Sequence, residues 1–147
     1  MFKHILIPTD GSAVAGKAVK AGIELAKEIG ARITVYYGID PMPAPYYGDG
    51  YTIDARVIED IERSARAGAE KALAKVAKLA AAAGVPCAGV INKPPTPYDG
   101  IIAVAKKQKC DVIFMASHGR RGIAGVVLGS VTNKVLSHSK IPVLVYR

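Results

Sequence analysis

"MASHGRRGIAGVVLGS", residues 115–130, is the stretch on which the reading of the fold turns. It continues the apolar run "DVIFMAS", residues 111–117, and it leads into a helical pattern that begins at Ser130. It holds four glycines, two serines and the pair Arg120 and Arg121. No lysine stands where a Walker loop needs one. A glycine-rich passage from strand to helix presents backbone N–H groups to an anion. It also serves as a plain turn.

The residues before it set the context. "FKHILIPTD" is a short apolar run that reads as a buried strand near residues 2–8. Ser12 is a plausible N-cap for a helix on which Val14, Ala18, Ala21, Leu25 and Ile29 keep helical spacing, and Gly30 stops it. "ARITVYY" is a second strand, residues 31–37. Residues 38–54 carry three prolines and three glycines. That composition predicts a long loop, and long loops in compact domains are often lids. The loop of residues 40–53 follows the second strand and is expected at its carboxyl end, with Tyr46, Tyr47 and Tyr51 as candidates to cover a bound ligand.

Residues 55–83 predict a long helix with Val57, Ile58, Ile61, Ala65, Ala69, Ala72, Leu73, Val76, Leu79 and Ala80 on its apolar face. "PCAGVIN" is a third strand and "YDGIIAVAKKQKC" a short helix. After the glycine stretch comes a helix from Ser130 to about Ser139, and "IPVLVYR" is a fifth strand. Strands and helices alternate throughout, without repeats or a linker, as one domain over residues 1–147. The pattern predicts an α/β fold, a five-stranded parallel sheet, Rossmann-like, with helices on both faces, and the order considered for it is 3-2-1-4-5. Ligands of such folds bind beyond the carboxyl ends of the strands, where the strand order reverses. In this order the first and fourth strands are neighbours, and "PTDGS" and "MASHG" converge on one crevice.

Composition narrows the function classes. The chain has 147 residues, half of them apolar, which suits one globular domain. No apolar run reaches the roughly 18–20 residues of a membrane span. "MFKHILIPTDGS" reads as the first strand and not as a signal peptide, so a cytoplasmic protein is expected. Cys87 and Cys110 have no metal or redox spacing and read as free thiols. The net charge of +8 raises nucleic acid as a partner. Its distribution argues against one. Lys17, Lys20, Lys27, Lys71, Lys75, Lys78, Lys106, Lys107 and Lys109 are spread over polar helix faces, with no aromatic residues between them as a stacking platform. A basic surface still attracts polyanions, a nucleoside triphosphate included.

The glycine stretch has features beyond a turn. Gly119 follows a strand and Gly129-Ser130 opens a helix, whose N-terminus exposes unpaired N–H groups and about half a positive charge. Nine residues separate Gly119 from Gly129, too many for a Walker loop, so a phosphate chain would lie in a wider loop. Ser130 supplies a hydroxyl either to a phosphate or as a cap of its own helix. Arg120 and Arg121 either reach a γ-phosphate or are solvated. His118 reads either as a sensor of phosphate charge or as a loop histidine bonded to nearby backbone. His4 and His138 read as structural. No paired carboxylates and no nucleophile–base pair are evident, so no catalytic residue is assigned.

"MASHGRRGIAGVVLGS" resembles the G-x2-G-x9-G-[S/T] signature of the universal stress protein family. The resemblance covers the whole chain. "ILIPTDGS" is similar to the family's first strand and acidic loop, "CDVIFMASHG" to its fourth strand, and "GSVTNKVLSHSKIPVLVYR" to its last helix and strand. It implies the adenine nucleotide alpha-hydrolase-like form of the fold. It also implies ATP as ligand, with Mg or Mn as accompanying ion, and a homodimer through the C-terminal strand. Carried over by position, Asp10 would meet the ribose or help hold the divalent ion. Pro8 and Thr9 would line the adenine and ribose side. Gly38 would face adenine through its backbone, where a bulkier apolar residue would pack against the base. Met115, Ala116, Gly119, Gly129, Ser130 and Val131 would wrap ribose and phosphates, mainly through main-chain N–H groups.

Ala116 departs from the signature, which has glycine there. At positive φ an alanine costs about 1 kcal/mol, and in ordinary backbone it costs nothing. Three functions follow from these residues: an ATP-binding stress-response module, a nucleotide-free dimeric interaction protein with Ala116 as the reason, and an ATP-cleaving enzyme. The resemblance leaves room for slow ATP hydrolysis or self-phosphorylation. The glycine signature favours the first over the second, and the lack of catalytic groups counts against the third.

Overall fold

A computed structural model describes residues 1–42, 53–119, 122 and 128–147 of the chain. The order of elements is β1 (His4–Pro8), α1 (Ala13–Ile29), β2 (Arg32–Gly38), α2 (Ala55–Ala82), β3 (Cys87–Asn92), α3 (Pro97–Lys107), β4 (Val112–Ala116), α4 (Ser130–His138) and β5 (Val143–Tyr146). The strands form one sheet in the order β3-β2-β1-β4-β5, and every pairing is parallel. The expected parallel sheet and strand order are therefore those of the molecule.

Two layers of core lie against the sheet, because the strand side chains alternate between its faces. Ile5, Ile7, Ile33, Val35, Val112 and Phe114 pack with α1 and α2. Leu6, Tyr36, Ile113 and Met115 pack with Ile101 and Val104 of α3 and Val135 of α4. The inner strands β1 and β4 are buried on both faces, whereas the edge strands β3 and β5 are partly exposed. Among the described residues no helix is long and apolar enough to cross a membrane.

Local chemistry accounts for the helix ends. The Ser12 hydroxyl accepts from the Ala15 amide at 3.2 Å, and Gly30 takes the left-handed conformation, φ 67°, that closes α1. The buried face of α1 differs from the expected one. Val14 and Ile29 are exposed, and Ala15, Ala18, Val19, Gly22, Ile23 and Ala26 are buried. Small residues won the contact because they let the helix lie close to the sheet. A Cβ at Gly22 would come within 2.7 Å of Ile7 Cδ1.

The expected face of α2 holds only in its second half. Ala69, Leu73, Val76 and Ala80 are buried, but Val57 and Ile61 are nearly half exposed and Leu79 is exposed as well. A helix of 28 residues is about 42 Å long, while strands of this size reach only roughly 20 Å. The first half of α2 therefore has no sheet beneath it. The loop of residues 40–53, with Tyr46, Tyr47 and Tyr51, lies for its greater part outside the described residues.

Candidate functional site

The seam between β1 and β4 opens before either strand ends. Their register is Ile5↔Val112 and Leu6↔Ile113, and it stops there. On its other side β1 stays paired with β2 through Pro8↔Tyr36, and β4 stays paired with β5 through Ala116↔Tyr146. The carboxyl ends of two neighbouring strands thus diverge toward opposite edges. The gap is the crevice expected where strand order reverses.

The loop after β1 is shaped by its own side chains. The Thr9 amide donates to the Tyr36 carbonyl at 2.9 Å, and the Thr9 hydroxyl accepts from the Gly11 amide at 3.2 Å. Asp10 Oδ1 accepts from the Ser12 amide at 2.9 Å, the turn that an aspartate makes with backbone two residues on. Gly11 takes φ 77°, which favours glycine. Asp10 Oδ2 lies 3.0 Å from the point a Gly119 Cβ would occupy. The acidic loop and the glycine loop are therefore in contact range.

The loop after β4 is tied at both ends. The Gly129 amide donates to the Ser117 carbonyl at 2.7 Å. The Thr132 hydroxyl, almost fully buried, lies 3.0 Å from the Ala116 carbonyl and 3.2 Å from the Ser117 carbonyl and donates to them. Thr132 had no part in the sequence reading. Its signal was its place in "GSVT", one turn inside a helix that starts at a glycine.

Gly129 is the N-cap of α4, with φ −68° and ψ 159°, and no side chain caps the helix. Ser130 stands at the first helical position, so its hydroxyl is not the cap that the sequence allowed. Asn133 is the first residue of α4 whose amide reaches back to the cap, at 3.0 Å from the Gly129 carbonyl. The amides of Ser130, Val131 and Thr132 have no intrahelical acceptor. Gly129 has ordinary backbone, so the reason for glycine is space. A Cβ there would meet the Ser117 carbonyl oxygen at 3.2 Å and His118 Cα at 3.4 Å.

Ala116 ends β4 in extended backbone. Among the described non-glycine residues only Lys109 has positive φ. The methyl of Ala116 is buried with the core on the α1 side of the sheet. The departure from the glycine signature therefore carries no backbone strain. Gly38 also has a packing reason of its own. A Cβ there would come 2.7 Å from the Tyr36 hydroxyl, which donates to Asn92 Oδ1 at 2.7 Å. Burial pushes the Tyr36 phenol up to about 12.

The remaining candidates divide. Pro8, Thr9, Asp10, Ala116, Gly119, Gly129 and Ser130 lie around the crevice. Met115 and Val131 point their side chains into the core on the α3 side, so only their main chain is available. His118 Nδ1 is 2.9 Å from the Ser117 hydroxyl. His4 Nε2 shares a hydrogen bond with Thr34 Oγ1 at 2.8 Å, and His138 Nδ1 with the Lys134 carbonyl at 2.8 Å, as structural residues would. Arg120 and Arg121 lie outside the described residues. Among the described residues no three His, Cys, Asp or Glu side chains gather as metal ligands. Asp10, whose Oδ1 accepts from the Ser12 amide, is the described carboxylate that reaches the glycine loop.

The description "Universal stress protein family" fits residues 1–147. Universal stress protein MJ0531 of Methanocaldococcus jannaschii is 33% identical over 150 residues, covering 100% of this chain and 83% of the relative. A universal stress protein of Thermus aquaticus is 32% identical over 147 residues and the whole of both chains. Among solved structures, UspA from Lactobacillus plantarum superposes with TM-score 0.83 at 24% identity, over 99% of this chain and 98% of that one. Two more structures with this fold hold nucleotides. One is a universal stress protein in complex with cAMP, TM-score 0.69 at 24% identity over 99% and 97% of the chains. The other is an Arabidopsis thaliana family protein with AMP bound, TM-score 0.69 at 16% identity over 97% and 90%. An α/β chain with a glycine-lined crevice at its switch point is the class the geometry defines. This chain belongs to the universal stress protein family.

Proposed function

We propose that the protein binds an adenine nucleotide, ATP, in the crevice between β1 and β4, and that the nucleotide sets the state of a dimeric, cytoplasmic stress-response module. One observation carries the reading. An acidic loop and the uncapped, glycine-led start of α4 meet across the gap between two diverging strands. The helix start favours negative charge through its free amides and its dipole. In this reading Gly119 and Gly129 let phosphates approach the backbone, and the Ser130 hydroxyl adds one donor. Asp10 accepts from the ribose or joins a magnesium or manganese ion that the phosphates bring. The Thr9 and Gly38 backbones border the base. The cAMP and AMP complexes of related structures support an adenine ligand.

The nucleotide-free reading rested on Ala116, and the extended backbone at that residue removes its main support. The dimer rests on β5. It is an edge strand with Leu144 and Tyr146 exposed, and an unpaired apolar edge is a liability unless covered. Mass spectrometry of purified, denatured protein tests the ligand directly. ATP, ADP or AMP released in near-stoichiometric amount is expected. A preparation with no nucleotide and no heat on titration with ATP and magnesium would sink the proposal.

A further inference from the structure

The opposite pole of the sheet, where the strands begin, has a second concave feature. A cavity of about 650 Å³ lies there, and its charged walls are Lys3, Lys27, Arg32, Lys109 and Asp111, with His4 beside them. The whole length of β1 separates it from the nucleotide crevice. All four cations are exposed, and none has a carboxylate within ion-pair distance among the described residues, whose ion pairs are Arg63–Asp60, Arg66–Glu70 and Lys93–Glu62. Asp111 does not neutralise them at close range. Its two oxygens accept from the Lys3 amide at 2.8 Å and the His4 amide at 3.1 Å.

Helix ends are the competing explanation for these cations. α1, α2 and α3 all finish at this pole, and a helix C-terminus carries about half a negative charge. One carbonyl in the last turn of each is met by a backbone amide beyond the helix. The amides of Ala31, Val85 and Cys110 donate to the carbonyls of Ala26, Ala80 and Ala105 at 2.8, 2.9 and 2.8 Å. Four cations outweigh one carboxylate and three half-charges, so positive charge remains. Lys109 adds a second sign. Gly30 and Gly84 hold the left-handed position that ends α1 and α2, but α3 has a lysine there at φ 55°, where glycine is the unstrained choice. The strained position puts a cation at the cavity rim.

His4 closes the wall. It is 7% exposed, its Nε2 is shared with Thr34, and its buried Nδ1 lies toward the backbone of Gln108 and Lys109. Among the described residues no Phe, Tyr or Trp lines the cavity, so they offer nothing for a base to stack on. We propose that this pole is a second anion site, for a small molecule bearing two or more phosphoryl charges, independent of the nucleotide crevice.

Pyrophosphate is the probe, titrated into the full-length protein at low salt and followed by amide NMR shifts and calorimetry. Shifts are expected at Lys3, Ala31, Arg32 and Asp111. The double variant Arg32→Gln/Lys109→Gly should bind pyrophosphate about tenfold more weakly or worse, since two charge-assisted donors are gone. Lys109→Gly alone should weaken binding less and melt no lower than the parent, because glycine suits that backbone. Shifts confined to Gly119, Gly129 and Ser130 would overturn the proposal. So would a folded double variant that binds as the parent does.

Discussion

The Gly129 amide donates to the Ser117 carbonyl at 2.7 Å, and this bond clamps together the two ends of the glycine loop. It fixes where α4 starts relative to the end of β4. A side chain at position 129 acts on the clamp and the proposed phosphate seat together. Its Cβ would press on the Ser117 oxygen at 3.2 Å. Gly129→Val is expected to weaken ATP binding on the order of a hundredfold or more, the loss of two charge-assisted hydrogen bonds. Gly129→Ala should do so less severely and stay folded. Calorimetric titration with ATP and magnesium, with circular dichroism as control, reads both. A folded variant that binds as the parent does would place the phosphates elsewhere. Ser130→Ala should cost less than either, because the main-chain donors survive.

Thr132 holds the same clamp from beneath. Thr132→Val keeps the shape and removes the hydroxyl that bridges the Ala116 and Ser117 carbonyls. The Ser117 carbonyl keeps the Gly129 amide, so the loss is that of one shared buried donor, about 1 kcal/mol. Urea unfolding should show that loss, and Thr132→Ser should recover most of it. A Thr132→Val midpoint equal to the parent's would mean the bond contributes nothing net.

Ala116→Gly restores the family signature and tests whether the departure matters. The extended backbone at Ala116 predicts unchanged ATP affinity and a stability loss of about 0.5–1 kcal/mol, the usual effect of glycine inside a strand. A parent that binds no nucleotide beside an Ala116→Gly variant that does would reverse this view of the residue.

Alkaline pH should destabilise the fold through Tyr36. Burial raises its folded value to about 12 from 10.0. The unfolded chain then loses its proton first, so the contribution is complete below pH 10 and is lost as pH rises to 12. The slope is about 1.4 kcal/mol per pH unit. The Cys110 thiol, pushed up to about 11 by burial, has the same sign from pH 9.0 upward. Urea midpoints at pH 8 and pH 11 should therefore differ less in Tyr36→Phe than in the parent. An equal pH response in both chains would remove Tyr36 from the account.

The proposed dimer can be tested at the β5 edge. The carbonyls of Pro142 and Tyr146 face β4, so the amide of Val145, one residue out of step, faces the open edge. A proline at Val145 removes that amide and should favour the monomer in sedimentation. A parent that sediments as a monomer at micromolar concentration, or a Val145→Pro variant that stays dimeric, would discard pairing through β5.

The alternation of apolar strands and periodic helices determined the fold class, and Ser12 and Gly30 marked the ends of α1 within the sequence itself; the expected strand order 3-2-1-4-5 is borne out by the paired strands. These are local signals, carried by spacing of three or four residues and by single caps. The convergence of "PTDGS" and "MASHG" was legible too, because strand order alone makes their strands neighbours. Tertiary structure decided the rest. Spacing on α1 allowed the row through Val14 and Ile29, but only the nearby sheet could select the row of small residues that packs closest. Spacing on α2 continued past the point where the sheet stops, so Val57 and Ile61 face solvent. Gly38 is explained by the Tyr36 hydroxyl, and Thr132 by carbonyls 16 and 15 residues before it. Such partners are distant along the chain, and no periodicity encodes them. They exist only once the strands have paired and the glycine loop has closed.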